Sequence, residues 1–212
     1  MSGVDREREK LVMGPVVLAT ANPEKAAEIN AALADVDIEL VPRPSNVPDV
    51  DETGTTLVAN ARLKADALCI ATGLPALADD TGLEIDALGG GPGVYSARFA
   101  GPNATYSDNV ERVLTEMTEA RRASRTARFR TVLVLAWPDG REIVASGVVE
   151  GVITDEPHGG QGFGYDPIFR PAGGKGRTFA EMTRAEKQQL SHRGRALRAL
   201  AEQLREAARS EP

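Results

Sequence analysis

The chain has 212 residues, enough for one or two domains with a substantial core, and its 42% hydrophobic and 26% charged content is that of an ordinary globular protein. A net charge of -6 gives no general attraction to nucleic acid or to an anionic membrane, and no apolar run approaches the ~18 residues of a membrane span. The single cysteine, Cys69, cannot form an internal disulfide, which points to a reduced, cytoplasmic setting.

Residues 1–14 are charged and lack the apolar core of a secretory signal, so a poorly ordered extension is expected ahead of a single domain over 15–209. Val16 to Thr20 reads as a buried strand. Asn22 is a natural N-cap and Pro23 a natural first helical residue, opening a helix to about Leu33. Free N–H groups at a helix N-terminus attract anions. Lys25 lies in that first turn, where a cation opposes the helix dipole; a phosphate sharing the site would account for it, and a capped helix with a solvated lysine is the plainer alternative. Ile38 to Val41 reads as a second strand, and 42–51, with three prolines, as a loop.

Thr55 or Thr56 can cap a helix running to about Thr72. Thr56, Asn60 and Lys64 are four apart and share one face, with Asp51 and Glu52 just upstream. An acid, an amide and an ammonium could thus line one wall of a pocket, or form an ordinary solvent-facing stripe. Strands are expected at Ala76 to Ala78 and Leu83 to Ile85, with Asp79-Asp80-Thr81-Gly82 between them at the mouth of the sheet. Adjacent carboxylates repel unless a cation shares their site. A hard divalent cation such as Mg²⁺ is the natural candidate, and a solvated turn the alternative.

Ser107 to Ala123 reads as a helix. Phe129 to Trp137 and Glu142 to Ile153 form an expected antiparallel pair, turned at Pro138-Asp139-Gly140. The run Gly159 to Phe169 places Phe163, Tyr165 and Phe169 among four glycines, although the whole chain has one Trp, three Tyr and five Phe. Backbone can approach a ligand closely there while a ring offers a stacking face. The last helix is expected from Thr183 towards Ala208, broken around Ser191 to Gly194, where His192 and Arg193 offer donors. Gly173 to Thr178 lacks the spacer of a phosphate-binding P-loop. The alternation of strands and helices, with a hairpin added, implies an α/β protein with a mixed sheet.

These segments resemble the inosine triphosphate pyrophosphatase family. The matching stretches are Leu18 to Lys25, Glu52-Thr53-Gly54 with Asn60 and Lys64, Ala78 to Leu83, Pro92 to Gly101, Gly162 to Phe169, and Phe179 to Met182 through Ser191 to Gly194. They occur in the family's order over about residues 16 to 205. The resemblance implies an elongated, two-lobed α/β fold with a mixed central sheet and the active site in the cleft between the lobes. It implies a homodimer that uses Mg²⁺ to cut non-standard purine nucleoside triphosphates (dITP, ITP, XTP) into a nucleoside monophosphate and pyrophosphate. By similarity Thr20, Ala21, Asn22, Pro23, Glu24 and Lys25 bind the triphosphate, and Lys64 contacts phosphate. Asp80 is the implied metal ligand and general base, with Asp51 or Glu52 as the second metal carboxylate. Thr81, Phe163, Gly164, Tyr165, Asp166, Lys187, His192 and Arg193 contact the nucleotide. Thr81 stands where many relatives have Ser, which keeps the hydroxyl, and Ala21 where Gly is common. Two rival readings are a Maf-like pyrophosphatase with other nucleotide preferences and a non-catalytic nucleotide- or RNA-binding protein. The Ser191-His192-Arg193 segment counts against the first, and the acids at 52, 79 and 80, with the net charge, against the second.

Overall fold

A computed structural model of the protein describes residues 13–36, 38–119 and 124–210. The expected N-terminal extension falls almost wholly outside the described residues, as does the end of the helix expected to reach Ala123.

Strand β1 (Met13–Leu18) leads through the Asn22 cap into α1 (Pro23–Ala32). The Asn22 Oδ1 accepts from the backbone N–H groups of Glu24 (2.8 Å) and Lys25 (3.3 Å), which is what starts the helix there. β2 (Ile38–Val41) follows, and after the proline loop comes α2 (Leu57–Thr72). Of its two candidate caps Thr56 is used; its hydroxyl accepts from Ala59 N–H at 3.2 Å. Next are β3 (Ala76–Ile85), β4 (Pro92–Gly93) and α3 (Tyr106–Glu119). The hairpin β5 (Thr126–Ala136) and β6 (Glu142–Ile153), the short β7 (Phe169–Pro171), and helices α4 (Arg184–Leu190) and α5 (His192–Ser210) complete the chain. The expected break in the last helix is real: Ser191 is extended and separates α4 from α5.

The sheet is mixed, in the order β2-β1-β3-β5-β6-β7, with β4 on β3. β1 runs parallel to β2 and β3, and the other pairings are antiparallel. Helix α5, with α1, covers one face over Leu77, Leu133 and Leu135, while α2 covers the other over Ala76, Ala78 and Val134. A third apolar cluster joins α3 to Phe129, Phe169 and Phe179.

The Asp79 to Gly82 run is not a turn between two strands but the middle of one ten-residue strand. β5 pairs with it without a break, from Ala76 opposite Ala136 to Ile85 opposite Ala127. That ladder satisfies the backbone and overrides the turn preference of Asp and Gly. On its other side, β1 pairs only with Ala76 and Leu77, and β4 only with Leu83 and Glu84. Among the described residues, 79–82 therefore border no strand on that side, and the gap opens where β1 ends and α1 begins. Gly82 lies there because a Cβ would sit 2.7 Å from the Gly93 carbonyl oxygen.

Candidate active site

Side chains alternate across a strand, so the adjacent acids of β3 point to opposite faces. Asp79 faces α1 and α5: Lys25 Nζ lies 3.1 Å and Arg193 Nη2 3.5 Å from its Oδ2. Asp80 faces α2: Asn60 Nδ2 donates to its Oδ2 at 3.1 Å and Lys64 Nζ to its Oδ1 at 3.5 Å. The two carboxylates thus bond to different side chains, and their acidities diverge. Burial opposes ionisation of Asp79, but Lys25 and Arg193 outweigh it and hold the carboxyl well below the usual range. Burial raises the Asp80 pKa, and the nearby Glu52 carboxylate adds to that, against the pull of Lys64. A buried carboxylate with a raised pKa is suited to receive a proton.

Asn60 is fully buried, and its Oδ1 accepts from Gly54 N–H at 2.8 Å while its amide group holds Asp80. The Thr56-Asn60-Lys64 stripe is therefore half site and half cap. Lys64 Nζ also donates to Glu52 Oε1 at 2.7 Å. One ammonium within reach of both Glu52 and Asp80 shows that these carboxylates converge on a single cationic point. Of the two candidates for the second acid, Glu52 converges on it; the Asp51 side chain is exposed. Arg98, which sequence reasoning did not single out, clamps Glu52 through its carboxylate (3.1 Å) and its carbonyl (3.2 Å). Burial raises the Glu52 pKa, but Lys64 and Arg98 prevail and keep it ionised. Among the described residues, no group of three or more His, Cys, Asp or Glu could hold a metal alone.

Two cavities of about 270 Å³ each meet at the start of α1. The first is lined by Thr20, Ala21, Asn22, Lys25, Arg43, Glu52, Lys64 and Asp79. The second is lined by aromatic and polar groups, among them Tyr106, Phe129, Phe163, Thr81, His192 and Arg193, and shares Asn22 and Lys25 with the first. Pro23 and Glu24 line neither; they serve as the first turn of α1, and Glu24 borders a separate hollow with Glu28. The first-turn N–H groups of Glu24 and Lys25 are already taken by the Asn22 cap, and the lysine's anionic partner here is Asp79.

In the glycine-rich segment the aromatics divide their roles. Phe163 is partly exposed at the second cavity, with the Lys187 ammonium 4.6 Å and the Arg193 guanidinium 5.5 Å from its ring centroid. Tyr165 is buried and donates to the Ser96 carbonyl at 2.8 Å, so it braces the wall. Phe169 belongs to the core. Asp166 is buried; it accepts from Phe163 N–H (2.9 Å) and from Lys187 (2.6 Å). Gly162 must be glycine, because its φ is +74° and a Cβ would meet Asp166 Oδ2. Gly164 borders the same cavity.

The first turn of α5 brings His192 and Arg193 to this cavity. It can do so because Gly147 of β6 lies directly beneath; a Cβ there would be 2.1 Å from the His192 carbonyl oxygen. Arg193 is only 2% exposed and is held by Glu28 (2.5 Å), Asp79, and Thr81 Oγ1 (3.4 Å). Thr81 in turn shares a 2.7 Å hydroxyl contact with the buried Thr131. Glu28, Thr131 and Tyr106 carried no sequence signal, since each acts through partners distant in the chain. Arg193 Nε and His192 Nδ1 are buried without a hydrogen-bond partner. Both residues line the second cavity.

His192 stacks on Phe129 with ring centroids 4.5 Å apart. Burial, then the cations Arg193 and Lys187, push its pKa well below the ordinary value, so the folded protein holds it neutral. Below pH ~6.5 the unfolded chain takes up a proton that the folded chain refuses, so this group costs stability as pH falls, by at most about 1.4 kcal/mol per pH unit. His192→Gln lacks that loss. The gap in unfolding free energy between parent and His192→Gln is expected to shift in the variant's favour from pH 7 to pH 5.5, by urea titration; a pH-independent gap would refute a neutral buried His192.

The Ham1 family matches residues 16–203. A dITP/XTP pyrophosphatase of Streptomyces coelicolor is 46% identical over 198 residues, covering 92% of this chain and 98% of that protein. One of Yersinia pseudotuberculosis is 46% identical over 199 residues, 92% of this chain and all of that protein. Among solved structures, a HAM1 protein from Coxiella burnetii superposes with a TM-score of 0.86 at 44% identity, over 92% of this chain and 100% of its own. The nucleoside-triphosphatase / dITP/XTP pyrophosphatase of Mycobacterium abscessus gives 0.71 at 41%, over 88% and 97%. With residues 16–203 matched and relatives 46% identical over 92% of its length, the chain belongs to the Ham1 family.

Proposed function

We propose that this protein hydrolyses non-standard purine nucleoside triphosphates, dITP, ITP and XTP, to the nucleoside monophosphate and pyrophosphate, keeping deaminated purines out of DNA and RNA. The observation that carries the reading is the junction of two cavities: an aromatic one with unpartnered donors for a base, and a lysine-lined one with convergent carboxylates for phosphates. The names of the relatives support the substrate class. Phe163 packs against the purine ring. Lys25 and Lys64 meet the phosphates. Asp80 takes a proton from the water that attacks the α-phosphorus as the bond to the oxygen bridging to the β-phosphate breaks, and pyrophosphate leaves.

Glu52 and Asp80 fit a divalent cation, because a single ammonium already satisfies both. Mg²⁺ typically binds one or two carboxylates and completes its shell with water and substrate phosphates, which suits a site with two convergent acids. Bound there, it would neutralise phosphate charge. In that reading Lys64 yields its position between the acids and turns to phosphate. The protein acts as a homodimer of single domains over 15–209 in the cytoplasm, on the strength of the family resemblance; sedimentation at micromolar concentration checks the assembly. No helix among the described residues is long and apolar enough to cross a membrane.

A substrate panel tests the reading against the Maf-like alternative. Pyrophosphate release from dITP and XTP is expected to far exceed that from dTTP and UTP; the reverse order would overturn it. Lys64→Met tests the phosphate side. Met keeps helix propensity and removes the charge. A charge-assisted bond is worth about 1.5–3 kcal/mol, so kcat/KM for dITP is expected to fall about 10- to 100-fold with the fold intact. Near-normal activity would return Lys64 to a purely structural role.

A further inference from the structure

The first cavity contains a third cation that none of the matched segments includes. Arg43 lies in the proline loop between β2 and α2, yet its side chain is only 16% exposed and lines the cavity beside Lys25 and Lys64. Its Nη1 donates to Asp49 at 2.6 Å and its Nη2 to the Val47 carbonyl at 3.0 Å. Pro42, Pro44 and Pro48 each fix one backbone angle, so the loop presents this arginine with little freedom to lose. The Asp49 side chain is 90% exposed. An ion pair to a carboxylate in open water is weak, about 0–1 kcal/mol, and a phosphate can displace it or add to it. Arginine matches phosphate oxygens with two parallel donors.

The cavities also give the direction of the substrate. Of these two cavities, Asn22 and Lys25 line both, Phe163 lines the base cavity and not the first, and Arg43 lines the first and not the base cavity. A nucleotide with its base on Phe163 passes its phosphates by Lys25 and ends beside Arg43. Resting on the function proposed above, we infer that Arg43 is a specificity-determining residue that grips the β- and γ-phosphates, the pyrophosphate that leaves. It would make this protein favour triphosphates and would also slow pyrophosphate release.

The test is calorimetric titration of the full-length protein with inorganic pyrophosphate and Mg²⁺, alongside dITP kinetics, for the parent, Arg43→Ala and Asp49→Asn. Arg43→Ala is expected to weaken pyrophosphate binding about tenfold or more and to raise KM for dITP similarly, with kcat unchanged or higher. Asp49→Asn breaks the same loop ion pair but leaves the guanidinium, so its pyrophosphate affinity is expected within about twofold of the parent. Equal losses in both variants would make Arg43 a loop fastener and overturn the inference. Unchanged binding in Arg43→Ala, or no pyrophosphate binding by the parent, would overturn it as well. If the parent binds pyrophosphate but does not hydrolyse dITP, the proposed function falls while the titrations still decide Arg43.

Discussion

Asp80→Asn is expected to abolish most dITP hydrolysis while leaving the protein folded. The asparagine keeps an oxygen that can accept from Asn60, whose amide donates to Asp80 at 3.1 Å, so the buried contact survives. What is lost is the charge facing Lys64 and the basicity that receives a proton from water. A general base contributes about 10²- to 10⁴-fold, and loss of a metal carboxylate adds to that. Asp79→Asn makes the contrast. Its carboxylate faces the buried Arg193 and the partly exposed Lys25, so the substitution leaves Glu28 as the remaining anion on Arg193 and is expected to cost about 1–3 kcal/mol of stability, with less direct effect on the chemistry. Pyrophosphate release at saturating Mg²⁺ and dITP, with circular dichroism and urea midpoints for both variants, separates the roles. Turnover of Asp80→Asn within a few-fold of the parent would remove Asp80 as the base.

Discrimination between dITP and dATP is expected to reach roughly 10⁴-fold in kcat/KM. Hypoxanthine and xanthine carry a 6-keto acceptor where adenine carries an amino donor. The base cavity offers Arg193 Nε and His192 Nδ1 without partners, and arginine can only donate. A keto oxygen satisfies such donors; an amino group leaves Arg193 Nε unpaired in a buried wall, and that penalty is what rejects adenine. Phe163 contributes to both bases alike, because stacking does not distinguish them. Steady-state kinetics with the two nucleotides measures the ratio. Comparable kcat/KM values would show that the 6-position is not read by these groups.

Much of the fold was legible because its signals are local. The Asn22-Pro23 start of α1, the Thr56 cap of α2, the long hairpin and the break before α5 each rest on a few neighbouring residues, and each stands in the structure. The strand β3 was misread because Asp-Asp-Thr-Gly has turn chemistry, and only the ladder from β5, some fifty residues later, holds it extended. That error had a consequence at the site. A turn would let Asp79 and Asp80 share one cation, whereas a strand sends them to opposite faces with opposite shifts in acidity. The choice between Asp51 and Glu52 had no local answer either. It is made by Lys64 on α2 and Arg98 beyond β4, which converge on Glu52. Glu28, Thr131, Tyr106 and Arg43 were invisible for the same reason: each reaches the site only through folding.

Hydrolysis between the α- and β-phosphates is tested by identifying the products of dITP turnover. The parent protein is incubated with dITP and Mg²⁺, and the phosphorus-containing products are resolved by ³¹P NMR. The expected products are dIMP and pyrophosphate in equal amounts, formed in one step and lost when Mg²⁺ is chelated. Release of dIDP with orthophosphate, or no turnover of dITP by folded protein, would contradict it.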